Sequence, residues 1–104
     1  VLVTDYSSIL FDYSVTGCPI LYLAPDLEHY RATRGLYIDY ADICGGALLT
    51  SWDDVVDRME SWTDPARLEL EHAQTRRIFD RFIIHRDGRN SERTVARVLE
   101  LLSR

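Results

Sequence analysis

The fold is decided by VLVTDYSSILFDYSVTGCPILYL, residues 1–23, which joins two apolar runs through a polar turn. The first run, Val1 to Thr4, is short and rich in β-branched residues, which is typical of a strand buried on both faces of a parallel sheet. Asp5-Tyr6-Ser7-Ser8 supplies polar side chains that start a helix, and Gly17 is placed to end it. The second run, Pro19 to Leu23, predicts another strand. Together they predict a βαβ unit with its helix over one face of the sheet.

The middle of the chain, residues 24–46, lacks clean periodicity and gathers Pro25, Gly35, Gly45 and Gly46. Because a long irregular segment in a compact domain is usually functional, we expect a loop that lies over the site. A short third strand is predicted over residues 47–49.

The last half of the chain predicts three helices. Ser51 is a good cap for a helix from Trp52 to about Trp62, and Asp64-Pro65 begins another that continues to about Phe82. Asn90 or Ser91 caps a final amphipathic helix. Its apolar positions, which we expect to face inward, are Val95, Val98, Leu99 and Leu102.

Length and composition set the class of protein. A chain of 104 residues, 46% of them hydrophobic, predicts a single domain over residues 1–104. Since the sequence opens at Val1 inside an apparent strand, we expect this domain to be truncated at its N-terminal side. The net charge of −5 argues against nucleic-acid binding, because neutralising phosphates needs a surplus of basic residues. Cys18 and Cys44 have no metal-like spacing, which predicts two reduced thiols in a cytosolic protein and no metal.

The strongest signal for a ligand is the turn after the first strand. It contains Thr4, Asp5, Ser7 and Ser8, whose hydroxyls and nearby amide groups suit an anion. Ligands of open α/β sheets bind beyond the carboxyl ends of the strands, where this turn is predicted to lie. The alternative is that the serines only cap a helix. Asp12, one helical turn after Ser8, is a candidate for ribose hydroxyls, or else an ordinary surface carboxylate.

Two further segments offer arginine at a turn. Arg34 precedes Gly35, which lets backbone approach a ligand, so this pair is a candidate clamp for a diphosphate. Asp87-Gly88 shapes a turn before a helix start at which Ser91 and Arg93 are candidate ligand contacts. His85 beside that turn is more typical of a structural or solvent-facing histidine than of a catalytic base.

These clusters, in this order, resemble one family. The similarity is carried by the run from Val3 to Tyr13, then Pro19-Ile20, Asp26-Leu27-Glu28, Tyr30 and Arg34-Gly35-Leu36-Tyr37, and finally Asp87-Gly88 with Ser91-Glu92-Arg93. Together these segments are similar to the C-terminal region of CDP-glycerol glycerophosphotransferases. The resemblance covers most of the chain, although residues 52–81 carry little of it.

The resemblance implies an α/β domain with a partial Rossmann-like parallel sheet and flanking helices, the C-terminal lobe of a GT-B-type transferase. That lobe binds CDP-glycerol, and the missing lobe binds a lipid-linked polyol-phosphate acceptor. It also implies that the Asp5–Ser8 turn, Arg34 with Gly35, and Ser91-Glu92-Arg93 hold the diphosphate and glycerol end. A histidine is the catalytic base in that family, and no residue here matches it.

By the same resemblance, we expect an enzyme of teichoic acid synthesis, cytoplasmic and peripheral at the inner face of the membrane, without a cofactor. Membrane contact would be made through the missing part. Two alternatives stay open from the sequence. One is a GT-B glycosyltransferase that uses a UDP- or GDP-sugar, because the same polar turn would hold either diphosphate. The other is a noncatalytic interaction module that retains the fold.

Overall fold

A computed structural model describes residues 1–45 and 48–104 of the chain. The strands in this part are β1 (Leu2–Thr4), β2 (Ile20–Leu23) and β3 (Leu48–Leu49), and they form a parallel sheet in the order β1-β2-β3. The helices are α1 (Ile9–Tyr13), α2 (Leu27–Thr33), α3 (Tyr40–Cys44), α4 (Trp52–Glu60), α5 (Pro65–Phe82) and α6 (Asn90–Leu102). Short 3₁₀ turns follow α1 and α4, over Ser14–Thr16 and Ser61–Thr63.

The predicted βαβ unit is confirmed. Leu2 pairs with Ile20 and Thr4 with Tyr22 in a parallel register, so both strands end at the same edge of the sheet. Gly17 adopts a φ of 68°, a left-handed conformation that glycine reaches without strain, and it ends the helical segment before β2.

Helices cover both faces of the sheet. Ile20 and Tyr22 point to one face and pack with Leu10 of α1 and Ile78 of α5. Leu21, between them, points to the opposite face and packs with Leu49 of β3 and Val55 of α4. The expected α/β fold with a partial Rossmann-like parallel sheet is therefore confirmed.

The first two helices after β3 begin where the sequence predicts, whereas the expected cap of α6 is wrong: Arg89 precedes its first residue, Asn90, and makes no side-chain capping bond. Ser51 and Asp54 form a reciprocal capping box at the start of α4. The Asp64 side chain accepts a hydrogen bond from the amide of Ala66 at the start of α5. Local side-chain chemistry thus fixes both boundaries. The predicted third strand is confirmed over Leu48–Leu49, while its first residue and Gly46 lie outside the described residues.

The expectation of an irregular segment between residues 24 and 46 is wrong. It contains α2 and α3, separated by a bend at Gly35, whose φ is 72°. Asp39 caps α3 by accepting a hydrogen bond from the Ala41 amide. Both helices are shorter than two full turns, so neither develops the repeating apolar pattern that would identify it in the sequence.

The expectation that the apolar side of α6 faces inward is also wrong for this chain. Its apolar side chains are between 48% and 78% exposed, and the described residues include none that is buried on α6. An amphipathic pattern shows that a helix has an apolar side, but it does not show which surface covers that side. Among the described helices, none combines the length and apolarity needed to cross a bilayer.

Candidate functional site

The polar turn Asp5–Ser8 lies at the carboxyl edge of the sheet, directly after β1. Asp5 Oδ1 accepts a hydrogen bond from the Ser7 amide at 3.2 Å, and Ser7 Oγ accepts one from the Ile9 amide at 3.3 Å. Ser8 has helical backbone angles, and its side chain makes no capping bond within the described residues. Because Ser7 and Ser8 are both exposed, their hydroxyls face solvent and the turn is open to a ligand.

Tyrosine side chains hold this turn against α2 and α3. The Tyr6 hydroxyl donates to Asp26 Oδ1 at 2.7 Å, and the Tyr6 ring stacks on Tyr30 with ring centres 3.9 Å apart. The Tyr40 hydroxyl donates to the Asp5 carbonyl oxygen at 2.5 Å. The segment between β2 and β3 therefore supports the turn from one side and fixes its backbone.

These phenols act as hydrogen-bond donors. Burial, then the hydrogen bond to Asp26, raises the pKa of Tyr6 well above its ordinary value. Burial likewise raises the pKa of Tyr40. Both groups are thus neutral throughout the physiological range, and both hydroxyls keep the proton that they donate to the turn and to α2.

Two clefts flank the turn, one on each side of the sheet. A cavity of about 200 Å³ is lined by Ser7 and Ser8 at its rim and by apolar side chains of α1, α3 and the segment after Gly35. A second cavity of about 330 Å³ lies on the α4 side and is lined by Val3, Thr4, Asp5, Leu23 and Trp52. There is consequently room for a ligand on both sides of the turn.

The predicted Arg34-Gly35 pair lies at the C-terminal end of α2, one helical turn after Tyr30. Arg34 is exposed, and its guanidinium forms no ion pair with any described residue. By contrast, Arg31 on the same helix is engaged by Glu28 and Asp39. Of these two arginines, Arg34 is the one whose charge is available to an anion.

Asp12 lies on α1, one turn after Ser8, and its side chain is exposed. It makes no hydrogen bond with another described residue, so the carboxylate is available to a ligand. Asp12 is not among the residues that line the smaller cavity, although its neighbours Leu10 and Phe11 are.

The third predicted cluster forms a local ion-pair network at the start of α6. Arg93 donates to both carboxylate oxygens of Asp87, at 2.6 and 3.0 Å, and Glu92 pairs with Arg89 at 2.7 Å. Hydrogen bonding from Arg93, followed by the Arg89 amide, lowers the pKa of Asp87. In the described part of the chain, no hydrogen bond or ion pair joins Ser91, Glu92 or Arg93 to the Asp5–Ser8 turn. Their role in holding a donor stays a prediction.

The three histidines differ in their surroundings. His72 places Nδ1 2.7 Å from the carbonyl oxygen of Gly17, which ties α5 to the end of the βαβ helix and marks a structural role. His29 and His85 are exposed. Among residues 1–45 and 48–104, no cluster of side chains has the composition of a metal site, and both cysteines are free thiols.

Two residues at this edge were missed as site residues by the sequence reasoning. Asp26 anchors the turn through Tyr6, from which it is separated by 20 residues. Trp52 lines the larger cavity from the start of α4. The position of Asp26 directly after a predicted strand was a usable signal, because carboxyl ends of parallel strands meet at one edge. No local pattern identified Trp52.

An open three-stranded parallel sheet covered by helices on both faces, with an accessible polar turn at its carboxyl edge, is a partial Rossmann-like fold, consistent with a fragment of a glycosyltransferase-type domain. The family model for CDP-glycerol:poly(glycerophosphate) glycerophosphotransferase matches residues 1–100. The chain belongs to this family.

Curated relatives carry related names. The chain is 32% identical, over 90% of its length, to the teichoic acid ribitol-phosphate polymerase TarL of Staphylococcus aureus. It is 31% identical, over 95%, to the teichoic acid poly(glycerol phosphate) polymerase of Bacillus subtilis. It is 35% identical, over 88%, to the teichoic acid ribitol-phosphate primase of Bacillus spizizenii.

The chain matches only a small part of the length of each relative. The chain spans 16%, 13% and 22% of the lengths of these three proteins, respectively. No solved structure matches the chain significantly.

Proposed function

We propose that this chain is the donor-binding part of a transferase that moves glycerol phosphate from CDP-glycerol to a hydroxyl of a lipid-linked, teichoic-acid-type acceptor. The observation that carries the proposal is the open Asp5–Ser8 turn at the carboxyl edge of the sheet, in a chain of this family. Parallel α/β sheets bind phosphorylated ligands at this edge.

The diphosphate of the donor is held by hydroxyl and guanidinium groups. Ser7 and Ser8 present exposed hydroxyls that donate to phosphate oxygens, and Arg34 supplies a positive charge not engaged by a described carboxylate. Because α1 has only five residues, the charge at its N-terminus is small. The side chains of the turn therefore contribute more than the helix dipole.

In the reaction, an oxygen of the acceptor hydroxyl attacks the phosphorus that carries glycerol. A bond forms between that oxygen and phosphorus, the bond from phosphorus to the CMP oxygen breaks, and the acceptor proton passes to a base. Negative charge grows on the departing CMP phosphate. Arg34 and the serine hydroxyls stabilise this charge, which is how proteins mainly assist phosphoryl transfer.

The donor has one close alternative, since two of the three relatives above are named for ribitol phosphate. CDP-ribitol shares the cytidine and diphosphate of CDP-glycerol and differs only at the polyol. The acceptor is bound by parts of the protein outside this chain, which also make peripheral contact with the inner face of the membrane.

The donor assignment is tested by calorimetric titration of the full-length protein with CDP-glycerol, CDP-ribitol and UDP-sugars. We expect the CDP-polyols to bind more tightly than any UDP-sugar. Tighter binding of a UDP-sugar would replace the assignment with a glycosyltransferase. A protein that binds none of these donors would instead be a noncatalytic interaction module.

The role of the turn is tested by Ser8→Ala and Arg34→Ala, with Arg97→Ala as a matched control on α6, where its partner is Glu100. Each of the first two variants removes a hydrogen bond to a charged group, worth ~1.5–3 kcal/mol, so kcat/KM is expected to fall by about 10- to 100-fold. Thermal stability should stay nearly unchanged. A large loss of stability with normal activity would show that these residues are only structural.

A further inference from the structure

Two cavities lie along one side of α5, separate from the clefts beside the turn. The first has a volume of about 410 Å³ and lies between α4 and α5. The second has a volume of about 250 Å³ and lies between α3 and α5. Gln74 and Arg77 line both cavities, which therefore form one continuous groove that we call the α5 groove. Of the described residues, none that lines this groove also lines a cleft beside the turn.

The middle of α5 lies at the edge of the sheet opposite the turn. His72 Nδ1 is 2.7 Å from the carbonyl oxygen of Gly17, and the Thr75 hydroxyl donates to the carbonyl oxygen of Cys18 at 3.0 Å. Both carbonyl groups come just before β2, so they mark the amino edge of the sheet. The polar turn follows β1 at the carboxyl edge. The α5 groove is therefore distinct from the place proposed for the diphosphate.

Arginine dominates the charge of the groove, although the net charge of the chain is −5. Glu71 is buried, and its carboxylate is engaged by Arg58 at 2.8 Å. Within the described part of the chain, Arg77 and Arg81 form no ion pair. Arg67 approaches its nearest carboxylate only to 4.0 Å. The lining has more arginines than carboxylates, namely Arg58, Arg67, Arg77 and Arg81 against Asp42 and Glu71.

The spacing of these charges suits an extended ligand. Arg67 and Arg81 are separated by about 21 Å of helix at the usual rise per residue. Oxygen acceptors lie between and beside them: the Gln74 amide nitrogen donates to the Ile43 carbonyl at 2.9 Å, which leaves the amide oxygen as an acceptor, and Asp42 is exposed. Guanidinium groups suit phosphates, and these oxygens suit hydroxyl groups. The groove thus fits a chain that contains both phosphates and hydroxyls.

We propose that the α5 groove binds a stretch of polyol-phosphate polymer, with guanidinium groups on its phosphodiesters and the oxygens of Gln74 and Asp42 accepting from its hydroxyls. The identity of the polymer rests on the proposed function, in which the acceptor is of the teichoic acid type. The reacting end of the acceptor is bound by parts outside this chain. The groove holds a segment further from that end and keeps the growing product attached between transfers.

The test is a titration of the full-length protein with a glycerol-phosphate oligomer long enough to span the groove, and with monomeric glycerol phosphate. Arg77→Ala is expected to weaken oligomer binding about two- to fivefold, the range of an exposed ion pair, and the double variant Arg67→Ala/Arg77→Ala by more. The slope of log affinity against log salt should become less steep by roughly 0.7 for each phosphate contact that is lost. Arg77→Lys keeps the charge and should restore most of the affinity.

Arg76→Ala is the matched control. Arg76 is an exposed neighbour on the same helix, but it is paired with Glu69 and lines neither cavity. It should leave the oligomer affinity and its salt dependence unchanged. The affinity for CDP-glycerol should be the same in all of these variants, because the turn lies at the opposite edge of the sheet.

The outcomes separate this inference from the proposed function. Equal oligomer affinity in Arg77→Ala and Arg76→Ala would overturn the inference while the proposed function stands. Monomer binding as tight as oligomer binding would overturn it too, since a single phosphate would then fill the site. A protein that binds the oligomer through Arg77 but binds no CDP-polyol would instead overturn the proposed function.

Discussion

Tyr40→Phe is the most informative change to the scaffold of the site, because it removes one oxygen atom and keeps the ring. Tyr40 is 2% exposed, and its hydroxyl donates to the Asp5 carbonyl. The ring contacts with Tyr6 and Tyr22 are retained in the variant. The free energy of unfolding should therefore report the hydrogen bond alone.

The magnitude follows from the surroundings of that bond. A neutral hydrogen bond contributes about 0.5–1.5 kcal/mol, and an unsatisfied buried partner costs about 1–3 kcal/mol. Because Asp5 is exposed, water can replace the lost donor at its carbonyl, so the lower range applies. We expect a loss of about 1 kcal/mol. With a urea m-value of about 1–2 kcal/mol per molar, the unfolding midpoint falls by roughly 0.5–1 M.

The assay is urea unfolding followed by circular dichroism, with CDP-glycerol affinity measured in the full-length protein. Tyr37→Phe is the matched control, because Tyr37 is fully exposed and lies on the same segment. Tyr40→Phe should also weaken donor binding, since the Asp5 backbone loses a restraint. Equal midpoints for the two variants would refute the argument that Tyr40 fixes the turn.

The remaining predictions concern caps, exposed surface and charge. Ser51→Ala removes half of the capping box of α4 and should lower the free energy of unfolding by about 1 kcal/mol in the same urea assay. Leu10→Ala should cost about 2–5 kcal/mol, while Leu99→Ser on α6 changes stability by less than about 0.5 kcal/mol, because only Leu10 is buried. Asp12→Asn should weaken the binding of both CDP-glycerol and CMP in calorimetry, because both ligands contain the ribose whose hydroxyls Asp12 is expected to contact. Hydrogen bonds hold the pKa of Asp87 below 3.8. The stability that the Asp87 carboxylate contributes is therefore complete above pH 3.8 and is lost as the pH falls through the lowered pKa. Carboxyl NMR shifts would follow this titration.

The elements that the sequence predicts well are those fixed by local chemistry. Asp64 with Pro65 marks the start of α5, and the helix ends at the predicted Phe82. Gly17 ends the helical segment after α1 because its φ is left-handed, a property that depends on this one residue. The same is true of the turn after β1, where a buried strand meets four polar or hydroxylated side chains. These signals need no knowledge of distant contacts.

The rest depends on contacts between distant parts of the chain. The bond between Tyr6 and Asp26 and the bond between Tyr40 and Asp5 span 20 and 35 residues, and both use ordinary residue types. Short helices such as α2 gain most of their stability from packing, so propensity does not reveal them. The exposure of Trp52 is likewise a property of the assembled sheet edge.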